Sequence, residues 1–83
     1  VNYRWIIRLV EAIGIRVKNL LQDAGMTQYE LSKQGGIPRS TISVIISVKR
    51  NSVKSDTLFQ IASSLGISLK EFFDDPIFDE VTD

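Results

Sequence analysis

TQYELSKQGGIPRSTISVIIS, residues 27–47, is the stretch that decides the fold. Thr27 followed three residues later by Glu30 fits a capping box, so a helix starts just after Thr27. Leu31 is the main inward residue of that short helix. Gly35 and Gly36 end it, because glycine accepts the positive φ that a helix end or sharp turn requires. Pro38 opens a second helix, where its missing N–H does no harm. Ile42, Ile45 and Ile46 recur at +3 and +4 and give that helix its buried side. Arg39, Ser40, Ser43, Val44 and Ser47 lie away from that side, and so short a polar face invites a partner.

Two helices joined by a glycine-containing turn form a helix-turn-helix, whose second helix reads the DNA major groove. The surrounding residues extend the pattern: MTQYELS at 26–32, GIPRSTIS at 36–43, Ile45-Ile46-Ser47, Lys49-Arg50-Asn51, Thr57-Leu58, Ile61-Ala62 and LGISLKEFF at 65–73. In this ordered set the chain resembles the phage-repressor (Cro/CI-type, XRE) helix-turn-helix family over roughly residues 12–74. Members of that family are small DNA-binding regulators, so the resemblance implies a bacterial or phage-type transcriptional regulator working in the cytoplasm. The other reading is a protein-interaction module, such as the antitoxin of a toxin pair.

The rest of the chain reads as three more helices, making an all-α five-helix bundle. Asn2 caps a first helix expected to run to Ala24, with Ile6, Val10, Ile13, Val17, Leu20 and Leu21 as its core stripe. Ser55-Asp56 begin the fourth helix, which buries Leu58, Ile61, Ala62 and Leu65. Ser68 with Glu71 caps a short fifth helix carrying Leu69, Phe72 and Phe73. Asp75-Pro76 then stops regular helix, and Ile77, Phe78 and Val81 either fray or pin the acidic tail. The expected organisation is therefore 1–11 as an N-terminal extension of helix 1, 12–74 as the DNA-binding domain and 75–83 as the tail.

The charge balance agrees with a DNA-facing half. The net formal charge is zero, yet residues 1–54 carry nine Lys and Arg against three acids, while residues 55–83 carry one Lys against seven acids. A basic half of that kind suits an anionic partner. The chain has neither cysteine nor histidine, which removes disulfides, thiolate and imidazole nucleophiles and ordinary zinc or copper sites. Residues 74, 75, 79, 80 and 83 are acidic but lack the central glycine and closing glutamate of a calcium loop. No catalytic residue, metal ligand or cofactor is expected. The apolar start is interrupted by Arg4, Arg8 and Glu11 and reads as neither a signal peptide nor a membrane span.

Arg39, Ser40, Ser43 and Val44 are the base-contact candidates. A recognition helix leads with its N-terminal residues, and Arg can donate two hydrogen bonds to guanine O6 and N7. Ser40 and Ser43 discriminate less; Val44 either touches a thymine methyl or packs. The resemblance adds Gln28, Thr41, Ser47, Lys49, Arg50 and Asn51 as phosphate contacts. Three departures from the family bear on this region. Val48 stands where glycine usually ends the helix, Ser32 where alanine is usual, and Val53 where proline is common. A β-branched residue with positive φ is strained, so that helix end either differs or is held at a cost.

The extension is the least family-like part. Tyr3, Trp5, Ile6, Ile7, Leu9 and Val10 place apolar surface on one helix end, and Trp5, Leu9 and Ala12 continue on a second face. Exposed patches of this size mark interfaces. The expectation is a homodimer through the extension, matching paired half-sites on DNA. The competing expectation is that the tail's Ile77, Phe78 and Val81 cover the same patch within one chain.

Overall fold

The computed structural model describes residues 7–82. Its elements are α1 (Leu9–Ala24), α2 (Gln28–Gly35), α3 (Arg39–Ile46), α4 (Ser55–Ser64) and α5 (Leu69–Phe73). A 3₁₀ turn at Pro76–Glu80 follows them.

α2 and α5 start where Thr27 and Ser68 provide side-chain caps, whereas α3 and α4 start after Pro38 and Lys54 without one. Thr27 Oγ1 accepts from the Glu30 N–H at 3.1 Å, and Glu30 Oε1 accepts from the Thr27 N–H at 3.0 Å. Gly36 closes α2 with φ of 65°, and Pro38 is the residue just before α3. Ser68 Oγ accepts from the Glu71 N–H at the start of α5. Leu31, Ile37, Ile42, Ile61 and Phe72 are fully or almost fully buried, and with Ile13, Val17, Leu21, Ile45, Leu58 and Ala62 they form one core. Each such large side chain contributes about 1.5–3 kcal/mol on burial. α1 and α4 pack on the helix-turn-helix from two sides, α1 against α3 and α4 against α2.

Helix 1 does not begin at Asn2, which lies outside the described residues with Tyr3, Trp5 and Ile6. It begins at Leu9, and Arg8 before it is extended at φ −81°, ψ 156°. Glu11 is the physical reason: its carboxylate accepts the Arg8 N–H at 2.9 Å, which terminates the helix there. Ile7 is instead held by the tail in an isolated parallel bridge with Val81. The Ile7 N–H donates to the Glu80 carbonyl at 3.3 Å, and the Thr82 N–H donates to the Ile7 carbonyl at 3.2 Å. Residues 7 and 8 are thus not an extension of helix 1, and Ala12, expected on an outward face, is buried.

The tail is pinned. Asp75 Oδ1 caps the 3₁₀ turn by accepting the Ile77 N–H at 2.9 Å. Phe78 rests against Phe73 with ring centroids 4.9 Å apart, and against Phe72 at 6.1 Å. Arg16 of α1 completes the corner. Its Nε and Nη2 donate to the carbonyls of Phe72 and Glu71 at 2.8 and 2.9 Å, and its Nη1 pairs with Asp75 at 3.1 Å. The Glu71 carbonyl also accepts the Asp74 N–H at 3.2 Å. These carbonyls lie at the C-terminus of α5, and a fork of fixed donors suits them.

Candidate nucleic-acid interface

At 100° per residue, Ile42 and Ile45 turn into the core while Ser40, Ser43, Val44 and Ser47 fall on the opposite side of α3. Ser40, Ser43 and Ser47 are exposed and Val44 is half-buried. The face is therefore shallow, built from three hydroxyls and one branched apolar side chain. Arg39 stands exposed at its leading end, its guanidinium 5.7 Å from the centroid of the Tyr29 ring on α2. A cation over an aromatic face at this distance is attracted by about 0.5–1 kcal/mol when exposed. Tyr29 thereby supports the Arg39 side chain, the leading base-contact candidate. Tyr29 is itself 54% exposed and belongs to this face, a role that its neighbourhood in the sequence did not suggest.

The turn that aims α3 is closed internally. The Ile37 N–H donates to the Ser32 carbonyl at 3.2 Å, and the Ser32 hydroxyl donates back to the Ile37 carbonyl. The hydroxyl that stands in place of the usual alanine thus has its partner.

The far end of α3 is where the chain departs from its pattern. Val48 adopts φ of 56°. The Lys49 N–H reaches the Val44 carbonyl at 3.0 Å and the Val48 N–H the Ile45 carbonyl at 3.3 Å. That pair of bonds is the Schellman ending, in which Val48 occupies the position normally given to glycine. A left-handed conformation costs a β-branched residue about 1–2 kcal/mol. In return the chain reverses sharply after α3, and Lys49, Arg50 and Asn51 that follow are all exposed.

Thr41, Val44 and Arg50 line one cleft with Ser52, Lys54 and Thr57, above Val10, Ile45, Val48 and Val53. Two phosphate candidates and one base candidate therefore share a wall. Val44 is half-buried in that wall, so packing is one of its roles. The Ser47 hydroxyl donates to the Ser43 carbonyl at 2.6 Å, so it meets a phosphate only by rotating away from that bond. Gln28 is half-buried on the first turn of α2. Asn51 is joined to a residue that sequence reasoning missed: Arg8 Nη1 donates to Asn51 Oδ1 at 3.2 Å across 43 positions. No local sequence signal marks that contact. Among the described residues no group of three or more acidic side chains is arranged to hold a metal ion, and no helix there is long and apolar enough to cross a membrane.

The family described as helix-turn-helix matches residues 17–72. No curated protein is a significant match. Among solved structures, the wild-type restriction-modification controller protein C.Esp1396I is 26% identical with a TM-score of 0.76, over 87% of this chain and 91% of that one. A tyrosine-to-phenylalanine mutant of the same controller protein is 25% identical with a TM-score of 0.78, over 92% of this chain and 94% of that one.

Proposed function

Because the chain belongs to the helix-turn-helix family, of the phage-repressor XRE type, we propose that it binds double-stranded DNA sequence-specifically and regulates transcription. The observation that carries this reading is the outward face of α3. Ser40, Ser43 and Val44 lie on it, Arg39 is braced on Tyr29 at one end, and the Val48 reversal returns Lys49 and Arg50 at the other. Arg39 reads a guanine in the major groove, Ser40 and Ser43 exchange hydrogen bonds with neighbouring base edges, and Val44 meets a thymine methyl while closing the cleft. Gln28, Thr41, Ser47, Lys49, Arg50 and Asn51 grip phosphates and set the register.

DNA binding belongs to residues 12–74, flanked by 1–11 and the acidic 75–83. The protein is a regulator rather than an enzyme, and its DNA target sets its place in the cytoplasm. The solved neighbours are restriction-modification controller proteins, and a controller role of that kind is the regulation we assign to it. It acts as a homodimer on paired half-sites, with Tyr3, Trp5, Ile6 and Leu9 of the extension supplying apolar contact. Selection from random duplex DNA tests the reading: a recurring motif with two related half-sites is expected. Recovery of unrelated sequences would contradict it.

A further inference from the structure

We propose that Arg8 is a positioning residue for the loop after α3, holding the Asn51 amide so that its nitrogen faces a DNA phosphate. The proposal rests on the DNA-binding reading above. Arg8 Nη1 donates to Asn51 Oδ1 at 3.2 Å. A guanidinium has only donors, so it engages only the amide oxygen, and the two amide N–H groups are left directed elsewhere. A phosphate only accepts. The orientation that Arg8 imposes is therefore the one a phosphate needs.

Arg8 is otherwise badly placed. It occupies the position before α1, where a short side chain with an acceptor oxygen is preferred and where the helix dipole repels a cation. Two devices hold it there. Glu11 lies 3.5 Å from Arg8 Nε and accepts the Arg8 N–H, which offsets the repulsion and fixes the root of the side chain. The preceding residue, Ile7, is clamped by the Glu80 carbonyl and the Thr82 N–H. The reach from Arg8 to the loop is thus set before DNA arrives, and a contact group set in advance loses less freedom on binding. A local rule broken and then braced from two sides signals a gain elsewhere.

The test measures duplex affinity at several salt concentrations for the intact chain, Arg8→Met, Asn51→Ala and the double variant, with thermal melts to check folding. Each single variant is expected to weaken selected and random duplexes alike by about two- to tenfold. The double variant is expected to bind no more weakly than the weaker single one, since both remove the same contact. Thr82→Pro, which deletes the N–H bonded to Ile7 without changing charge, is expected to weaken binding in the same direction. Additive losses, with a salt slope shallower by about 0.9 for Arg8→Met, would make Arg8 an independent phosphate contact and overturn the proposal. Wild-type affinity in Arg8→Met would overturn it too. If the intact chain bound no duplex at all, the DNA reading would fail instead. The NMR signals of the Asn51 side-chain amide then decide the positioning claim alone: Arg8→Met shifts them if the contact exists, and an unmoved pair contradicts it.

Discussion

Gly14 and Val48 meet across the α1–α3 contact, and each makes sense only with the other. A methyl group added at Gly14 would lie 2.6 Å from the Ile45 carbonyl oxygen and 3.3 Å from a Val48 methyl. Helix propensity alone favours alanine there by about 1 kcal/mol. The clash is with backbone, however, so α3 would have to move, at a cost of about 1–3 kcal/mol. Gly14→Ala is therefore expected to lower the melting temperature despite the better helix former; a rise would show that α1 and α3 can separate freely. The sequence already marked Val48 as a residue in a glycine position, and the strain is what the structure holds. On the polar face, Arg39→Ala should relax preference at one base pair per half-site by about 1–3 kcal/mol. Competition between the selected duplex and its single-base variants measures this. Unchanged discrimination at every position would remove Arg39 from the base-reading set.

At the scale of elements, the helix-turn-helix was legible because caps, glycines and isoleucine periodicity all point the same way between residues 27 and 47. The start of α1 was not. The apolar run before Leu9 continues the helical period, but the Glu11 carboxylate and the tail bridge to Ile7 take over the backbone groups that another turn would use. Both depend on contacts that a pattern of apolar spacing does not encode. The corner around α5 was likewise hidden, since Arg16 reads as an ordinary surface cation until its fork is seen on Glu71, Phe72 and Asp75. The Arg16 side chain is only 14% exposed. Arg16→Met should cost about 2–3 kcal/mol in urea unfolding, because charged hydrogen bonds are lost and acceptors left without them. Arg16→Lys should recover only a minor share, as an ammonium cannot span three acceptors in a fixed plane. Full recovery with lysine would mean that charge alone, and not the fork, holds α5.

Across the whole molecule, the cations of the proposed DNA face and the acids of α5 and the 3₁₀ turn belong to different parts of the fold, which a zero net charge conceals. The proposed homodimer belongs to this scale as well. Sedimentation of the intact chain and of one starting at Glu11 should show a dimer for the first at tens of micromolar and a monomer for the second. A monomeric intact chain would contradict the dimer, and a dimer that survives truncation would move its interface off the extension. Release of condensed counterions is the physical signature expected if the α3 face and its following loop grip duplex DNA. The logarithm of affinity should fall linearly with the logarithm of salt, by about 0.9 for each phosphate neutralised. Lys49→Ala should weaken selected and random duplexes alike and make that line shallower by about one. The decisive measurement is thus affinity for the selected duplex across a range of salt, with and without Lys49. A steep line that Lys49→Ala flattens is expected; a line already flat in the intact chain would rule out a phosphate grip on duplex DNA.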